Sequence, residues 1–325
     1  MSELQKEKFD KIVDQLNSLS QQINARLIGQ QQIVKQILIA LISNGHVLIE
    51  GVPGLGKTLL VRTLANAFSG EFSRIQFTPD LMPSDVTGHV IYDMNTKTFK
   101  MNKGPVFTNL LLADEINRAP AKSQAALLEV MQERQVTLDG ESYKVPPIFM
   151  VMATQNPLEQ EGTYPLPEAE LDRFMMKVCM DFPSLDDEIT LTSMMTNSNV
   201  TDTTEQASTQ FALKETDLLE AQMMSEKIII DPQVIDYAIR IVRMTRNHPS
   251  IYRGAGSRAC IGLVQTAKSL ALMSGRDYVI PDDVKIMALP VIRHRIALNP
   301  DVEIEGLDED HVLSQMLEEV DAPRQ

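Results

Sequence analysis

The sequence predicts an α/β fold with a parallel sheet in its first half and a helical region in its second half. Short apolar runs alternate with segments of helical periodicity between residues 46 and 180, which is typical of a parallel sheet covered by helices. A glycine-rich loop, residues 51–58, separates one of these runs from a helix. After Pro183 the periodicity is almost entirely helical. A chain of 325 residues has room for about two domains.

Apolar spacing and turn residues predict the elements of the first half in chain order. The predicted helices are residues 4–25, 31–43, 58–68 and 122–133. The predicted strands are residues 46–50, 74–77, 109–115, 148–154 and 176–180. Two further segments predict inserted β-hairpins, one near residues 90–107 and one at residues 135–145 that turns at Asp139-Gly140. Pro79 and Pro83 predict irregular backbone before the first hairpin.

The change of pattern at Pro183 predicts two domains, residues 1–183 and residues 184–325. The helices predicted in the second domain are residues 232–246, 257–274, 281–295 and 309–319. Residues 193–210 are rich in Ser, Thr, Asn and Gln, which indicates a loosely ordered segment.

Composition narrows the classes of function. The formal net charge of −14 disfavours nonspecific binding of nucleic acid, which depends on neutralising phosphates. Cys179 and Cys260 have neither metal nor disulfide spacing, so we expect two reduced core thiols in a cytoplasmic protein. No apolar run reaches the roughly 18 residues that span a bilayer, so we expect no membrane span.

The glycine-rich loop has the sequence GVPGLGKT and fits the phosphate-binding pattern G-x-x-x-x-G-K-[ST]. A strand precedes it and a helix follows it, so backbone N–H groups and a helix N-terminus would surround an anion. We expect Lys57 to reach the β- and γ-phosphates of ATP and the Thr58 hydroxyl to bind Mg²⁺. The predicted nucleotide contacts in this loop are Pro53, Gly54, Leu55, Gly56, Lys57, Thr58 and Leu59.

Polar residues follow two other predicted strands. Asp114 and Glu115 end the apolar run that starts at Asn109. We expect Asp114 to hold Mg²⁺ through water and Glu115 to orient or activate the attacking water. Asn156 follows the strand at residues 148–154, where a polar group can touch the γ-phosphate or the water. The alternatives are that Asp114 and Glu115 are ordinary surface acids and that Asn156 belongs to an ordinary Asn-Pro turn.

Five segments in this order resemble the MoxR group of AAA+ ATPases: GVPGLGKT, LLLADEINRAP, ATQNP, PLPEAELDRF and GAGSRA. The resemblance extends from about Leu27 to Arg295. It implies a P-loop AAA+ core with a C-terminal all-helical lid. The two hairpins resemble the helix-2 insert and the pre-sensor-1 hairpin of this clade, which includes the magnesium-chelatase ATPase subunits. Ser257 departs from the family pattern, which has proline before the lid arginine.

The resemblance also implies roles for individual residues. Asn156 resembles sensor 1, and Ile28-Gly29 resembles the segment that packs on adenine. Arg173 resembles the arginine finger, the arginine that one subunit donates to the ATP of its neighbour. Arg258 resembles sensor 2, which reaches the nucleotide from the lid. A donated arginine ties hydrolysis to assembly, so a homo-oligomeric ring, a hexamer by resemblance, is expected.

The expected function is ATP hydrolysis that remodels or matures a client protein, with a von Willebrand factor A domain protein as the partner that the resemblance implies. One alternative is the ATPase motor of a metal-chelatase complex, which needs a separate catalytic subunit. Another is a motor acting on nucleic acid, which needs basic hairpin tips. The first hairpin carries Lys97, Lys100 and Lys103, whereas Asp139 and Glu141 make the second tip acidic, and this tip and the net charge disfavour such a motor. A nucleotide-gated scaffold that does not hydrolyse ATP is the last alternative, and Glu115 disfavours it.

Overall fold

A computed structural model describes residues 3–51, 55–68, 70–156, 162–197 and 213–323. Two predicted nucleotide contacts, Pro53 and Gly54, lie outside the described residues. The same holds for residues 198–210 of the segment predicted to be loosely ordered. Residues 193–197 of that segment belong instead to the last turns of a helix, Leu185–Asn197.

The first half is built on a parallel sheet of five strands. These strands are β1 (Val47–Gly51), β2 (Phe72–Gln76), β5 (Leu110–Asp114), β8 (Met150–Gln155) and β9 (Met176–Met180). Their order across the sheet is β2-β5-β8-β1-β9. All carboxyl ends of a parallel sheet lie at one edge, so the residues that end β1, β5 and β8 become neighbours. This confirms the predicted fold class.

Both faces of the sheet are buried, which explains its continuous apolar strands. Leu110 and Leu112 of β5 face one hydrophobic core, while Leu111 and Ala113 face the other. The helices of this half are α1 (Glu3–Asn24), α2 (Gln31–Ile42), α3 (Lys57–Ala67), α4 (Pro83–Thr87), α5 (Ala121–Glu133) and α6 (Glu168–Leu171). The expectation of irregular backbone at Pro83 is wrong, because this proline occupies the first turn of α4, where no N–H partner is required.

Both predicted hairpins are present. The first pairs β3 (Gly88–Asp93) with β4 (Thr98–Lys103). The second pairs β6 (Gln135–Leu138) with β7 (Glu141–Lys144). At its turn Asp139 has φ 51° and Gly140 has φ 83°, the left-handed pair that matches the twist of a two-residue hairpin.

The described part of the second half consists of helices and a short antiparallel strand pair. Its helices are α7 (Leu185–Asn197), α8 (Glu215–Lys227), α9 (Pro232–Met244), α10 (Ser257–Met273), α11 (Pro281–Ile292), α12 (Pro300–Ile304) and α13 (Glu309–Glu319). The strand pair joins β10 (Ile251–Arg253) to β11 (Ala297–Leu298). Helix α11 ends earlier than predicted, and Arg293–Arg295 form a 3₁₀ turn instead.

One hydrophobic core joins the two halves. It includes alternate residues of β1 and β9, the buried face of α1, and apolar residues of α10 and α11. Helix α1 buries Phe9, Ile12, Leu16, Leu19 and Ile23, whose spacing of three and four residues places them on one helix face. No helix among the described residues is long and apolar enough to cross a membrane.

The prediction of two core thiols is wrong for Cys179 and holds in part for Cys260, which packs against the hydrophobic core. Cys179 is exposed because it lies on the outward side of β9 at the edge of the sheet, and Cys260 is only half-buried on α10. Both are free thiols. No cluster of His, Cys, Asp or Glu able to hold a metal ion is found in the part of the chain that the structure describes.

Candidate nucleotide site

A cleft of about 360 Å³ opens at the carboxyl ends of β1, β5 and β8. Its walls come from the start of α3 and from the ends of β2, β5 and β8. The lining residues are Gly56, Lys57, Thr58, Arg74, Asp114, Glu115, Thr154, Gln155 and Asn156. The fold thus brings together the predicted phosphate-loop, acid and Asn156 residues, which are far apart in the sequence.

The described end of the phosphate loop prepares the cleft for an anion. Gly56 precedes α3 with φ 83°, a conformation that glycine adopts without a steric cost. The N-terminus of α3 therefore faces the cleft with its free N–H groups. Lys57 Nζ donates a hydrogen bond of 2.5 Å to the Gly51 carbonyl. Burial lowers the pKa of Lys57, and the nearby carboxylates Asp114 and Glu115 oppose that shift.

Thr154 links the two acids that end β5. Its hydroxyl donates to Asp114 Oδ1 at 2.6 Å and accepts from the Glu115 backbone N–H at 2.9 Å. The other carboxylate oxygen of Asp114 accepts from Arg74 Nη2 at 2.7 Å. Because the Arg74 side chain is 47% exposed, solvent screens this ion pair, and a competing cation can replace it.

The backbone of Glu115 is left-handed, with φ 55° and ψ 51°. This conformation is strained for a residue with a side chain and is concentrated at functional sites. Glu115 Oε2 accepts from Gln76 Nε2 at 2.7 Å and from Arg118 Nη1 at 3.2 Å. Two donors from different elements therefore fix the carboxylate at the mouth of the cleft.

Asn156 directly follows β8, is buried and lines the cleft. Gln155 precedes it on the same wall. The side chain of Leu59 is 43% exposed and does not line this cleft, although it lies in the first turn of α3.

A second cleft of about 380 Å³ lies between α2, the end of β9 and helix α11. Gly29 lines it together with Phe182, Pro290 and Arg293. Gly29 has φ 78°, and a Cβ added there would approach Asp187 of α7 to about 3.0 Å. Ile28 is half-buried and does not line this cleft. Of the two residues predicted to pack on adenine, only Gly29 therefore lines this cleft, which is formed by both halves of the chain.

The two predicted arginines do not line the phosphate cleft. Arg173 follows α6 and interacts electrostatically with Glu170. Arg258, at the start of α10, pairs through Nη1 with Asp172 Oδ2 at 3.6 Å. The structure therefore places Arg258 beside the segment that contains Arg173, and the predicted contact of Arg258 with nucleotide stays a prediction.

Four cleft residues were missed by the sequence analysis: Arg74, Gln76, Thr154 and Gln155 contribute to the cleft or to its hydrogen bonds. The position of Thr154 gave a usable signal, since it lies two residues before Asn156 at a predicted strand end. Arg74 and Gln76 gave none, because their role depends on β2 lying next to β5.

Comparison with protein families identifies the two halves. The model of the "ATPase family associated with various cellular activities (AAA)" matches residues 46–176, and an AAA lid domain model matches residues 243–316. The first match contains the whole phosphate cleft and the second begins at the end of α9.

Similar proteins cover nearly the whole chain. Chaperone MoxR1 of Mycobacterium tuberculosis is 44% identical over 307 residues, which are 92% of this chain and 80% of that protein. The uncharacterized protein YeaC of Bacillus subtilis is 42% identical over 95% of both chains. A solved structure from Cytophaga hutchinsonii, described as a candidate ATPase, has a TM-score of 0.88 with 39% identity and covers 98% of both chains. The chain belongs to the MoxR group of AAA+ ATPases.

Proposed function

We propose that this ATPase acts as a ring in which each ATP site is completed by arginines from the neighbouring subunit, and that the ring remodels a protein client. The observation that carries the proposal is the composition of the phosphate cleft. Lys57, Asp114, Glu115 and Asn156 line it, whereas Arg173 and Arg258 lie elsewhere in the same chain. This separation supports the proposal that the two arginines act on the phosphates of a neighbouring subunit.

The residues present fit Mg²⁺ together with ATP. Hard cations prefer carboxylate and hydroxyl oxygens, and Asp114 and Thr58 supply them on facing walls of the cleft. The exposed partner Arg74 can release Asp114 Oδ2 when a divalent cation arrives. Bound Mg²⁺ would neutralise charge on the β- and γ-phosphates. Lys57 would exchange the Gly51 carbonyl for a phosphate oxygen as its hydrogen-bond acceptor.

Hydrolysis then depends on Glu115. A water oxygen attacks the γ-phosphorus, the bond to the β–γ bridging oxygen breaks, and ADP leaves with that electron pair. Glu115 takes the water proton as the new bond forms. Its carboxylate is held by Gln76 and Arg118, so the base is already oriented before the water binds. Asn156, at the far wall, would hold the water or the γ-phosphate.

The two arginines belong to one surface. Asp172, adjacent to Arg173, is the ion-pair partner of Arg258. Two guanidinium groups from different elements that lie near each other can stabilise the charge that develops on a neighbour's γ-phosphate. Six subunits is the ring size that the family resemblance implies.

The first hairpin supports a protein client. Its β3–β4 ribbon exposes Ile91, Tyr92 and Phe99, and Met94 at its turn is 84% exposed. Tyr92 and Phe99 stack edge to face across the strands with centroids 5.2 Å apart. Exposed apolar side chains grouped on one hairpin are typical of protein-binding surfaces. The relative MoxR1 carries the name chaperone, and a von Willebrand factor A domain protein is the partner that we propose from the family resemblance.

The test mixes two variants that are each nearly inactive. Arg173→Ala should bind ATP normally and hydrolyse it poorly, since donated arginines contribute ~10³–10⁵ in turnover in well-studied systems. Glu115→Gln should bind ATP and turn it over at least ~100-fold more slowly, because it lacks the base. Mixed rings contain junctions where an intact Arg173 faces an intact Glu115, so ATPase activity should recover and should rise with protein concentration.

A mixture of Lys57→Ala with Arg173→Ala provides one control. Its ATPase activity should also recover, because the Lys57→Ala subunit cannot bind ATP well but can still donate its intact Arg173 to the site of the other variant. Lys57→Ala alone provides the blank. Co-assembly is checked by light scattering of the mixture. Co-assembled variants that stay inactive would refute the proposal that Arg173 acts on the neighbouring subunit.

A further inference from the structure

The segment that contains Arg173 is held by a turn of the lid. Arg293–Arg295 follow helix α11 as a 3₁₀ turn, and Arg295 is directed at the backbone on either side of Arg173. Its Nε donates to Asp172 Oδ1 at 2.8 Å, and its Nη2 donates to the Phe174 carbonyl at 2.6 Å. Nη1 donates to the Met175 carbonyl at 3.1 Å. One guanidinium thus binds three residues around the candidate finger, Asp172 before it and Phe174 and Met175 after it.

This contact is buried, which makes it different from the surface ion pairs nearby. The Arg295 side chain is only 4% exposed, whereas the side chain of Asp172 is 28% exposed. A buried guanidinium without partners is strongly unfavourable, so its carboxylate and carbonyl acceptors compensate for its lost hydration. The planar fork fixes the direction of each acceptor, which a single ammonium group does not do.

His294 adds a second fixed point from the same turn. It is buried, and its Nε2 donates to the Phe174 carbonyl at 3.0 Å. The Phe174 side chain is itself fully buried in the core on the other face of the sheet. The residue after Arg173 is therefore anchored through both its carbonyl and its ring, and the residue before it is anchored through its carboxylate.

We propose that Arg295 is a positioning residue: it fixes the backbone around Arg173 so that this arginine points at the ATP of the neighbouring subunit. The inference rests on the proposed function and adds a residue of the lid to it. Arg295 lines neither the phosphate cleft nor the second cleft, which contains Gly29. Its effect must therefore pass through the placement of Arg173, and misplacement of such a group by about 1 Å can cost 10²-fold in rate.

The experiment compares Arg295→Gln with Arg295→Lys and with Arg253→Gln. Arg295→Gln should keep the ATP affinity seen in calorimetry and lower kcat by at least ~10-fold, with little change in KM. Arg295→Lys keeps the charge beside Asp172 but not the fork, so its kcat should fall between those of Arg295→Gln and the unaltered protein. Arg253 pairs with Glu168 on the exposed side of the same segment; Arg253→Gln should change kcat less than about twofold.

Mixing separates positioning from general damage to the lid. Arg295→Gln should regain activity when it is mixed with Glu115→Gln, whose Arg173 is intact, and should regain none with Arg173→Ala. A variant whose own ATP site is damaged would not recover in the first mixture. If Arg295→Gln does not assemble, the same mixtures are made with Arg295→Lys.

Failure of the role proposed for Arg295 and failure of the proposed function give different results. Normal kcat in Arg295→Gln, weakened ATP binding, or recovery with Arg173→Ala would each overturn the role of Arg295. If Arg173→Ala itself hydrolyses ATP normally, the proposed function fails first, whatever Arg295→Gln does.

Discussion

His46, directly before β1, provides a test of the packing that supports the phosphate loop. The imidazole is buried against the Phe149 ring in an edge-to-face contact with centroids 5.6 Å apart. Its Nε2 donates to the Met131 carbonyl at 3.2 Å, and its Nδ1 accepts from the Val151 N–H at 3.0 Å. Both ring nitrogens are used by the neutral form, so a second ring proton would point at the Val151 N–H.

Burial first, and then the positive charge of Arg134, lower the pKa of His46 from 6.5 to about 3. The unfolded chain therefore binds a proton at pH 5 that the folded chain does not bind, and stability falls as pH drops below about 6.5. Between pH 7 and pH 5 the loss from this one residue comes to about 2 kcal/mol of unfolding free energy. Buried His294 has its pKa lowered as well and contributes in the same direction.

The assay measures urea unfolding at pH 7 and pH 5 for the unaltered protein, for His46→Gln and for His89→Gln. His89 is exposed on the first hairpin and serves as the matched control. His46→Gln lowers stability at both pH values, but its loss between pH 7 and pH 5 should be smaller than that of the unaltered protein by about 2 kcal/mol. An equal loss in the two proteins would refute the reasoning, and so would the same reduction in His89→Gln.

Four further predictions concern the clefts and the hairpin. Lys57→Ala should weaken ATP binding at least ~10-fold in calorimetry, because it removes the cation nearest the phosphate position; unchanged affinity contradicts the loop assignment. Thr154→Val should lower kcat by ~10–100-fold with ATP affinity retained, since hydrogen bonds to charged groups contribute about 1.5–3 kcal/mol, while Thr154→Ser should remain active. Arg258→Ala should lower turnover only in assembled rings, so a defect seen equally in isolated subunits counts against a donated role. Phe99→Ser should leave ATPase activity unchanged yet reduce capture of a chemically unfolded test protein, measured by pull-down.

The local sequence pattern was sufficient to predict an element when the residues of that element alone determine its structure. Strand β9 and helix α13 have the predicted bounds, and the Asp139-Gly140 turn forms as its left-handed residues require. The phosphate loop and the acids after β5 were also found, because a short motif carries them. The structure places Lys57 and Asp114 in the same cleft, while their roles toward a nucleotide stay predictions.

Sequence patterns did not predict the features that depend on contacts between residues far apart in the chain. The sequence predicted that α11 continues to Arg295, yet the helix ends at Ile292, and the side chains of His294 and Arg295 bind the Asp172–Met175 segment. Arg74 and Thr154 gain their roles only because β2, β5 and β8 are adjacent. Arg258 illustrates the same limit at larger scale, since the orientation of the lid on the core is not encoded in a local pattern.

The left-handed backbone at Glu115 makes one position subject to two opposing requirements, one for stability and one for activity. A side chain in this region of φ and ψ costs about 1 kcal/mol or more, whereas glycine would occupy it freely. Selection for heat resistance alone would therefore favour glycine at this position, whereas the role proposed for Glu115 would favour glutamate through selection for turnover. Among thermally adapted descendants of this chain, compensating substitutions should accumulate elsewhere in the fold while position 115 keeps its strain.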